Sequence, residues 1–241
     1  EVGIEVILSS SERNDTLDGT NNSASTGQAG KIGNSWGFAS SQQSVEIGNQ
    51  SVFDTQESFS ISLWVDTDDI TDKRFFGKGS NSAYEMLSET TNNQVRWRVH
   101  DGSVKTVEGS TALSDGTWHH LVAIYDKEQG ETRIYVDCSS SSCSADGTLT
   151  GVGTISSVSD SLYLGRNSGG ATSTYDGHLD QFIMYDKVLS TTEISALYNS
   201  GSGDSTPDTD SMVAHYDFEQ TGTTLENQTY LTVTLDDPTG Y

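Results

Sequence analysis

The 241 residues carry 12 Lys and Arg against 35 Asp and Glu, a formal net charge of −23. That balance excludes partners that demand basic patches, nucleic acid and anionic membrane surfaces among them, and no apolar run approaches the roughly 20 residues that span a bilayer, so no membrane insertion is expected. With 24 Gly, 2 Pro and abundant Ser and Thr, the chain has the balance of an all-β protein built of short strands and tight turns.

In chain order, the start "EVGIEVILSS" lacks the basic stretch of a signal peptide, so a secreted form is expected to have lost its leader. Asn14, Asn21, Asn49 and Asn227 stand in Asn-x-Ser/Thr sequons, which accept N-glycans in an exported chain. "SFSISLWVD" sends Phe59, Ile61, Leu63 and Val65 to one face and Ser60, Ser62, Trp64 and Asp66 to the other, a strand with one buried side. "QVRWRVH" repeats the scheme. Val95, Trp97 and Val99 oppose Arg96, Arg98 and His100, which gathers three basic side chains on one face of a very acidic protein. "WHHLVAIYD" and "TRIYVD" read as an antiparallel hairpin turned by the Gly of "DKEQGE". Cys138 and Cys143 follow in "YVDCSSSSCSADG", where a disulfide would close a short turn. It would contribute about 2 kcal/mol by loop entropy and require an oxidising compartment, which points outside the cell or to its surface. One helix is predicted, in "LSTTEISALYN", where Ser190 and Glu193 form a capping box ahead of an apolar stripe of Ile194, Leu197 and Tyr198.

The blocks "KIGNSWGFASSQQSVEIGN", "FSISLWV", "FFGKGS", "DGTWHHLVAIYD", "TRIYVD", "LYLGRN" and "GHLDQFIMYDKVLSTTEISALYN", in that order over residues 28 to 199, resemble the laminin-G-like domains of the concanavalin A-like lectin and glucanase superfamily. The resemblance implies a two-sheet antiparallel jelly-roll β-sandwich over residues 1–200, often a calcium ion, and commonly a role in binding glycans or proteins. Domains of this family usually open with a further strand ahead of the "GKIGN" block, and residues 1–27 hold no such motif. Its counterpart is "MVAHYDFEQTGTT", which follows the short C-terminal helix and a linker expected to be flexible at 201–210. Residues 211–241 are therefore expected to complete this sandwich, to complete that of a neighbouring subunit, or to open a second repeat. Val213, His215, Tyr216 and Phe218 are the side chains of this assembly strand, and burying its three large apolar members contributes about 5 kcal/mol before ordering costs. Left in water, the strand would expose an edge that invites pairing.

Catalysis is not expected. The Glu-x-Asp-x-x-Glu strand signature of retaining glucanases, which sets acid and nucleophile on one face, is absent, as are Gly-x-Ser-x-Gly and a Gly-rich phosphate loop. "SDGTW" reads as a turn feeding a strand rather than as a sialidase-type Asp box. His119 and His120 are adjacent in a strand, face opposite sides and cannot share a metal ion; His178 and His215 stand alone. For calcium, the one cofactor in prospect, the resemblance points to Asp180 in "GHLDQF", with Asp217 of "YDFE" second. Asp68 and Asp69 belong to the dense run "DTDDITD", which reads as an ion site or as a solvated acidic loop. A glycan would be held by Arg96, Arg98, His100, Trp64 and Tyr135 through stacking and bidentate polar contacts, with the loop of Arg166, Asn167 and Tyr175 as a second surface. The net charge of −23 opposes an acidic glycan. The function expected is a secreted, non-catalytic interaction module. It would serve as an adhesion unit or as a subunit of an extracellular assembly or filament, joined through residues 213–219 to copies of itself or to another extracellular protein. The alternative is a calcium-dependent, carbohydrate-binding lectin.

Overall fold

The computed structural model describes residues 17–39, 43–54, 56–67, 72–88, 93–113, 116–169 and 175–229; Asn14, Asp68 and Asp69 lie outside them. Two eight-stranded sheets face each other, every pairing antiparallel. The first runs β16 (Thr224–Leu225), β1 (Gly19–Asn22), β4 (Ser44–Gly48), β13 (Leu162–Leu164), β6 (Arg74–Lys78), β7 (Tyr84–Ser88), β8 (Gln94–His100), β9 (Val104–Ala112). The second runs β12 (Gly147–Thr150), β11 (Glu131–Val136), β10 (Trp118–Asp126), β5 (Phe59–Asp66), β14 (Gly177–Tyr185), β3 (Asn34–Phe38), β2 (Ser25–Ala29), with β15 (Met212–Tyr216) also on β14.

The period-two patterns explain the layers. Phe59, Ile61, Leu63 and Val65 of β5 meet Val95, Trp97 and Val99 of β8 in one core between the sheets. Phe59 is the hinge of an aromatic cluster, its ring centroid 5.1 Å from Tyr84 and 6.3 Å from Trp97. The indole N–H of Trp97 donates to Thr132 Oγ1 at 2.6 Å, and that hydroxyl donates to Ile124 O at 2.7 Å, so the polar atoms carried into the core are paired. The hairpin of β10 and β11 pairs Asp126 with Glu131 and turns at Gly130, whose φ of 60° suits a residue without Cβ.

The helix α1 (Thr191–Tyr198) starts with the expected capping box, Ser190 accepting from Glu193 N while Glu193 accepts from Ser190 N at 2.7 Å. It lies on the outer face of the second sheet, where Ile194 and Leu197 join Val122, Ile124, Tyr135, Ile183 and Tyr185 in a separate apolar cluster. Cys138 and Cys143 are bridged and border the same cluster.

The tail closes both sheets from within the chain. β14 changes partner half-way: Gly177–Leu179 pairs with β3, and Phe182–Tyr185 pairs with β15 beyond a bulge at Asp180 and Gln181. Ala214, Tyr216 and Phe218 are fully buried in the main core, Val213 is half-buried, and His215 points away, its Nε2 2.9 Å from Gln181 Oε1. Phe218 meets Trp36 edge-on at 6.0 Å, and Tyr216 OH donates to Leu17 O at 2.5 Å. β16 then pairs β1, Gly19 opposite Leu225. Within 201–210, Asn199 Nδ2 donates to Gly203 O at 2.9 Å, Lys187 pairs with Asp210 at 3.0 Å, and Pro207 is buried.

Candidate functional site

Because Val95, Trp97 and Val99 occupy the core, β8 sends Arg96, Arg98 and His100 outward from the first sheet. The neighbouring strands add Glu85 from β7, Arg74 and Gly77 from β6, Tyr163 from β13 and Glu46 from β4, and the turn after β13 adds Arg166 and Asn167. Glu85 is the hub of this face. Its side chain is only 2% exposed and accepts from Arg98 Nη1 at 3.0 Å, Arg74 Nε at 3.2 Å and Asn167 Nδ2 at 2.7 Å. Arg96 pairs with Glu108 of β9 at 2.6 Å. The Arg166 guanidinium lies over the Tyr163 ring, 4.1 Å from its centroid, and Glu46 accepts from Ser161 at 2.9 Å. Burial and the Glu46 carboxylate raise the Tyr163 pKa. Gly77 lets these groups pack closely over it: a Cβ there would come within 2.8 Å of Asn167 Cβ and 3.1 Å of Glu85 Cβ. The Nε atoms of Arg98 and Arg166 are shielded from solvent without a hydrogen-bond partner among the described residues.

The expected glycan set does not converge. Trp64 and Tyr135 belong to the second sheet's outer face, across the sandwich from the arginines, and are 2% and 5% exposed. Trp64 is stacked on Tyr198 at 5.8 Å with Lys31 Nζ 4.6 Å from its ring, while Tyr135 lies in the cluster under α1. The alternation of each strand was legible; which sheet each strand would join was not. His100 shares the arginines' face, its Nδ1 3.2 Å from Ser156 Oγ. Of the second surface, Asn167 joins Glu85, whereas Tyr175 is buried, its hydroxyl donating to Asp66 O at 2.9 Å. His119 and His120 face opposite ways, toward Asp137 Oδ2 at 2.6 Å and Ser62 Oγ at 2.8 Å.

Asp180 lies at the β14 bulge, fully buried, its Oδ2 accepting from Ile32 N at 2.9 Å and its Oδ1 without a partner among the described residues. Burial pushes its carboxyl up to about 7 against the pull of the Ile32 and Gln181 N–H groups, and the Glu219 carboxylate adds to the rise. Glu219, which the sequence reading did not single out, takes the Asn34 N–H on both oxygens at 3.1 Å. Asp217 turns elsewhere, its Oδ1 accepting from Gln220 Nε2 at 2.8 Å. Calcium seeks six to eight oxygens; here the Asp180 and Glu219 carboxylates stand near one another beside the Asn34 carbonyl, and among the described residues no three His, Cys, Asp or Glu side chains gather at one point.

Of the sequons, Asn227 is wholly buried, its Oδ1 accepting from His215 N at 3.0 Å, so it cannot carry a glycan in the folded chain. Asn21 is committed to its turn, donating to Ala24 O at 3.0 Å and Gly222 O at 2.9 Å. Asn49 is exposed, with its Oδ1 taken by Lys78 at 2.6 Å.

The laminin-G-type profile of the concanavalin A-like lectin/glucanases superfamily matches residues 39–195. The chain belongs to this superfamily. Solved structures place the same fold around this lectin/glucanase-superfamily chain. The binding domain of Paraclostridial Mosquitocidal Protein 1 aligns with a TM-score of 0.64 at 14% identity, over 82% of this chain and 51% of that one. Domain 4 of AbnA, an extracellular arabinanase from Geobacillus stearothermophilus, solved with arabinotriose, aligns at 0.55 and 17% identity, over 73% and 86%. The CBM40 of the Ruminococcus gnavus IT-sialidase, solved with α2,3-sialyllactose, aligns at 0.54 and 14% identity, over 67% and 95%. The superfamily member therefore spans about half the length of the toxin binding domain. No curated protein sequence matches it.

Proposed function

We propose that the chain is an extracellular, non-catalytic carbohydrate-binding module whose glycan lies on the outer face of the first sheet, along the arginines around Glu85 and Asn167. The observation that carries this reading is the gathering of Arg74, Arg96, Arg98 and Arg166, four of the six arginines of a chain with net charge −23, beside Asn167 and Tyr163 on the sheet face away from α1. Guanidinium and amide donors held by a common carboxylate present fixed N–H groups, which suit the paired hydroxyls or the carboxylate of a sugar. The arabinotriose and sialyllactose held by two proteins of the same fold support a sugar as ligand. The bridge between Cys138 and Cys143 supports an oxidising location. Glu85 gives no opening for acid catalysis, since Arg74, Arg98 and Asn167 take up its oxygens. Donation of residues 213–219 to a neighbour would first withdraw Tyr216 and Phe218 from this chain's own core, so the reading is of a binding module and not a filament subunit.

A panel of neutral and acidic oligosaccharides, screened on an array and followed by calorimetry, tests the proposal. Arg166→Ala and Arg98→Ala are each expected to weaken the best ligand roughly tenfold. Retention of no glycan, or unchanged affinity in both variants, overturns it.

A further inference from the structure

We propose that the cleft bounded by the end of β14, α1 and the turn at 204–208 binds a protonated primary amine on a short aliphatic stem, the chemistry shared by a lysine side chain and a free alkylammonium. The cleft encloses about 160 Å³, roughly five water volumes. It is separate from the arginine face, being on the other sheet, and does not depend on the glycan reading.

Its floor and walls differ in kind. Leu189, Leu197 and the Tyr185 ring, all buried, supply an apolar floor for a methylene stem. Glu193, Asp204 and Asp208 supply carboxylates on the walls. Asp204 Oδ1 accepts from Thr206 N at 2.9 Å and Asp208 Oδ1 from Asp210 N at 3.0 Å, so each carboxylate is anchored by one oxygen and held in place. Tyr185 is the decisive group. The residue is 2% exposed overall and lines the cleft, and its hydroxyl, not itself sealed from solvent, has no hydrogen-bond partner among the described residues. A phenol placed among carboxylates and left unpaired is matched by a ligand that donates hydrogen bonds and carries positive charge. Burial and the charges of Asp208, Asp204 and Glu193 all raise its pKa, so it remains a neutral partner for an ammonium.

Lys187 shows that this setting tolerates such a group. Its Nζ lies at the rim, 2.8 Å from Glu193, 3.0 Å from Asp210 and 6.0 Å from the Tyr185 ring centroid. Three lining carboxylates against this one ammonium leave the cleft net acidic, with Asp204 and Asp208 uncompensated by Lys187. A metal ion is the poorer match. Leucine and alanine give it no ligands, Lys187 brings charge of its own sign, and a hard cation needs six or more oxygens.

Two-dimensional NMR on the full chain provides the test, with n-butylammonium, butan-1-ol, calcium chloride and an Nα-acetyl-lysine amide as separate probes. Saturable shifts confined to Leu189, Ala196 and Leu197 are expected with butylammonium, and binding at least tenfold weaker with butanol. Asp204→Asn combined with Asp208→Asn is expected to weaken butylammonium roughly tenfold, and Lys187→Gln to tighten it by releasing Glu193. Acetyl-lysine amide matching butylammonium would assign the cleft to a lysine of a partner protein; butylammonium binding alone would assign it to small amines, and either supports the site. Butanol binding as tightly as butylammonium, calcium shifting these residues in place of the amine, or an unmoved affinity in the doubly neutralised variant overturns the proposal.

Discussion

Three buried titrating side chains set opposing trends in stability with pH. Asp180, raised by burial to about 7 from 3.8, holds a proton in the folded chain that the unfolded chain has lost, so its contribution is complete below about pH 4 and fades as pH rises through 7. His215 and His120, lowered by burial to about 4 and about 3, act the other way: the unfolded chain binds protons they refuse, and their contribution, complete above pH 6.5, is lost as pH falls. Glu219 faces Asp180 and deepens its shift; Asp217 faces His215 and reduces its own. Asp180→Asn keeps an acceptor for Ile32 N and removes the titrating carboxyl that opposes the histidines. Urea melts at pH 4.5, 5.5 and 6.5 are expected to show stability climbing more steeply with pH in the variant, by roughly 1–3 kcal/mol over the range. An unchanged slope would mean that Asp180 is ionised in the fold. None of this was legible from Asp180 alone, because its partners Ile32 and Glu219 are set by the meeting of two distant turns.

At the level of elements, β15 carries the most weight. Tyr216 is fully buried, 6.0 Å from Phe182, and anchors the start of the described chain through Leu17. Tyr216→Ala is expected to cost about 3–5 kcal/mol, read as a fall in urea midpoint without change of slope; a cost below 1 kcal/mol would mean that the strand is dispensable. Reduction of the bridge between Cys138 and Cys143 should cost far less, about 2 kcal/mol, because it closes so short a loop. β5, β8, the turn at Gly130 and the cap of α1 were readable because each is decided within a few neighbouring residues. The partner of β15 was not: its alternating side chains would look the same whether it paired with its own β14 or with another copy's. For the same reason the alternation makes Trp64 and Arg98 look like partners in one site, although their strands belong to different sheets.

For the molecule as a whole, the net charge of −23 works against compaction through self-repulsion. Raising the salt from 0.01 M to 0.15 M shortens the screening length from about 30 Å to about 8 Å. The melting temperature is therefore expected to rise, as screened self-repulsion outweighs the loss at pairs such as Arg96 with Glu108. A fall would give those pairs the larger share. The two ends of the described chain meet at one corner, where Asn227 N donates to Asp18 Oδ1 at 2.9 Å and β16 pairs with β1 through Gly19–Leu225 and Thr20–Thr224. A mechanical load carried through residues 17 and 229 would thus pull against that small ladder end-on, unzipping it one rung at a time and not shearing the long strands, so the module yields to tension at its seam first.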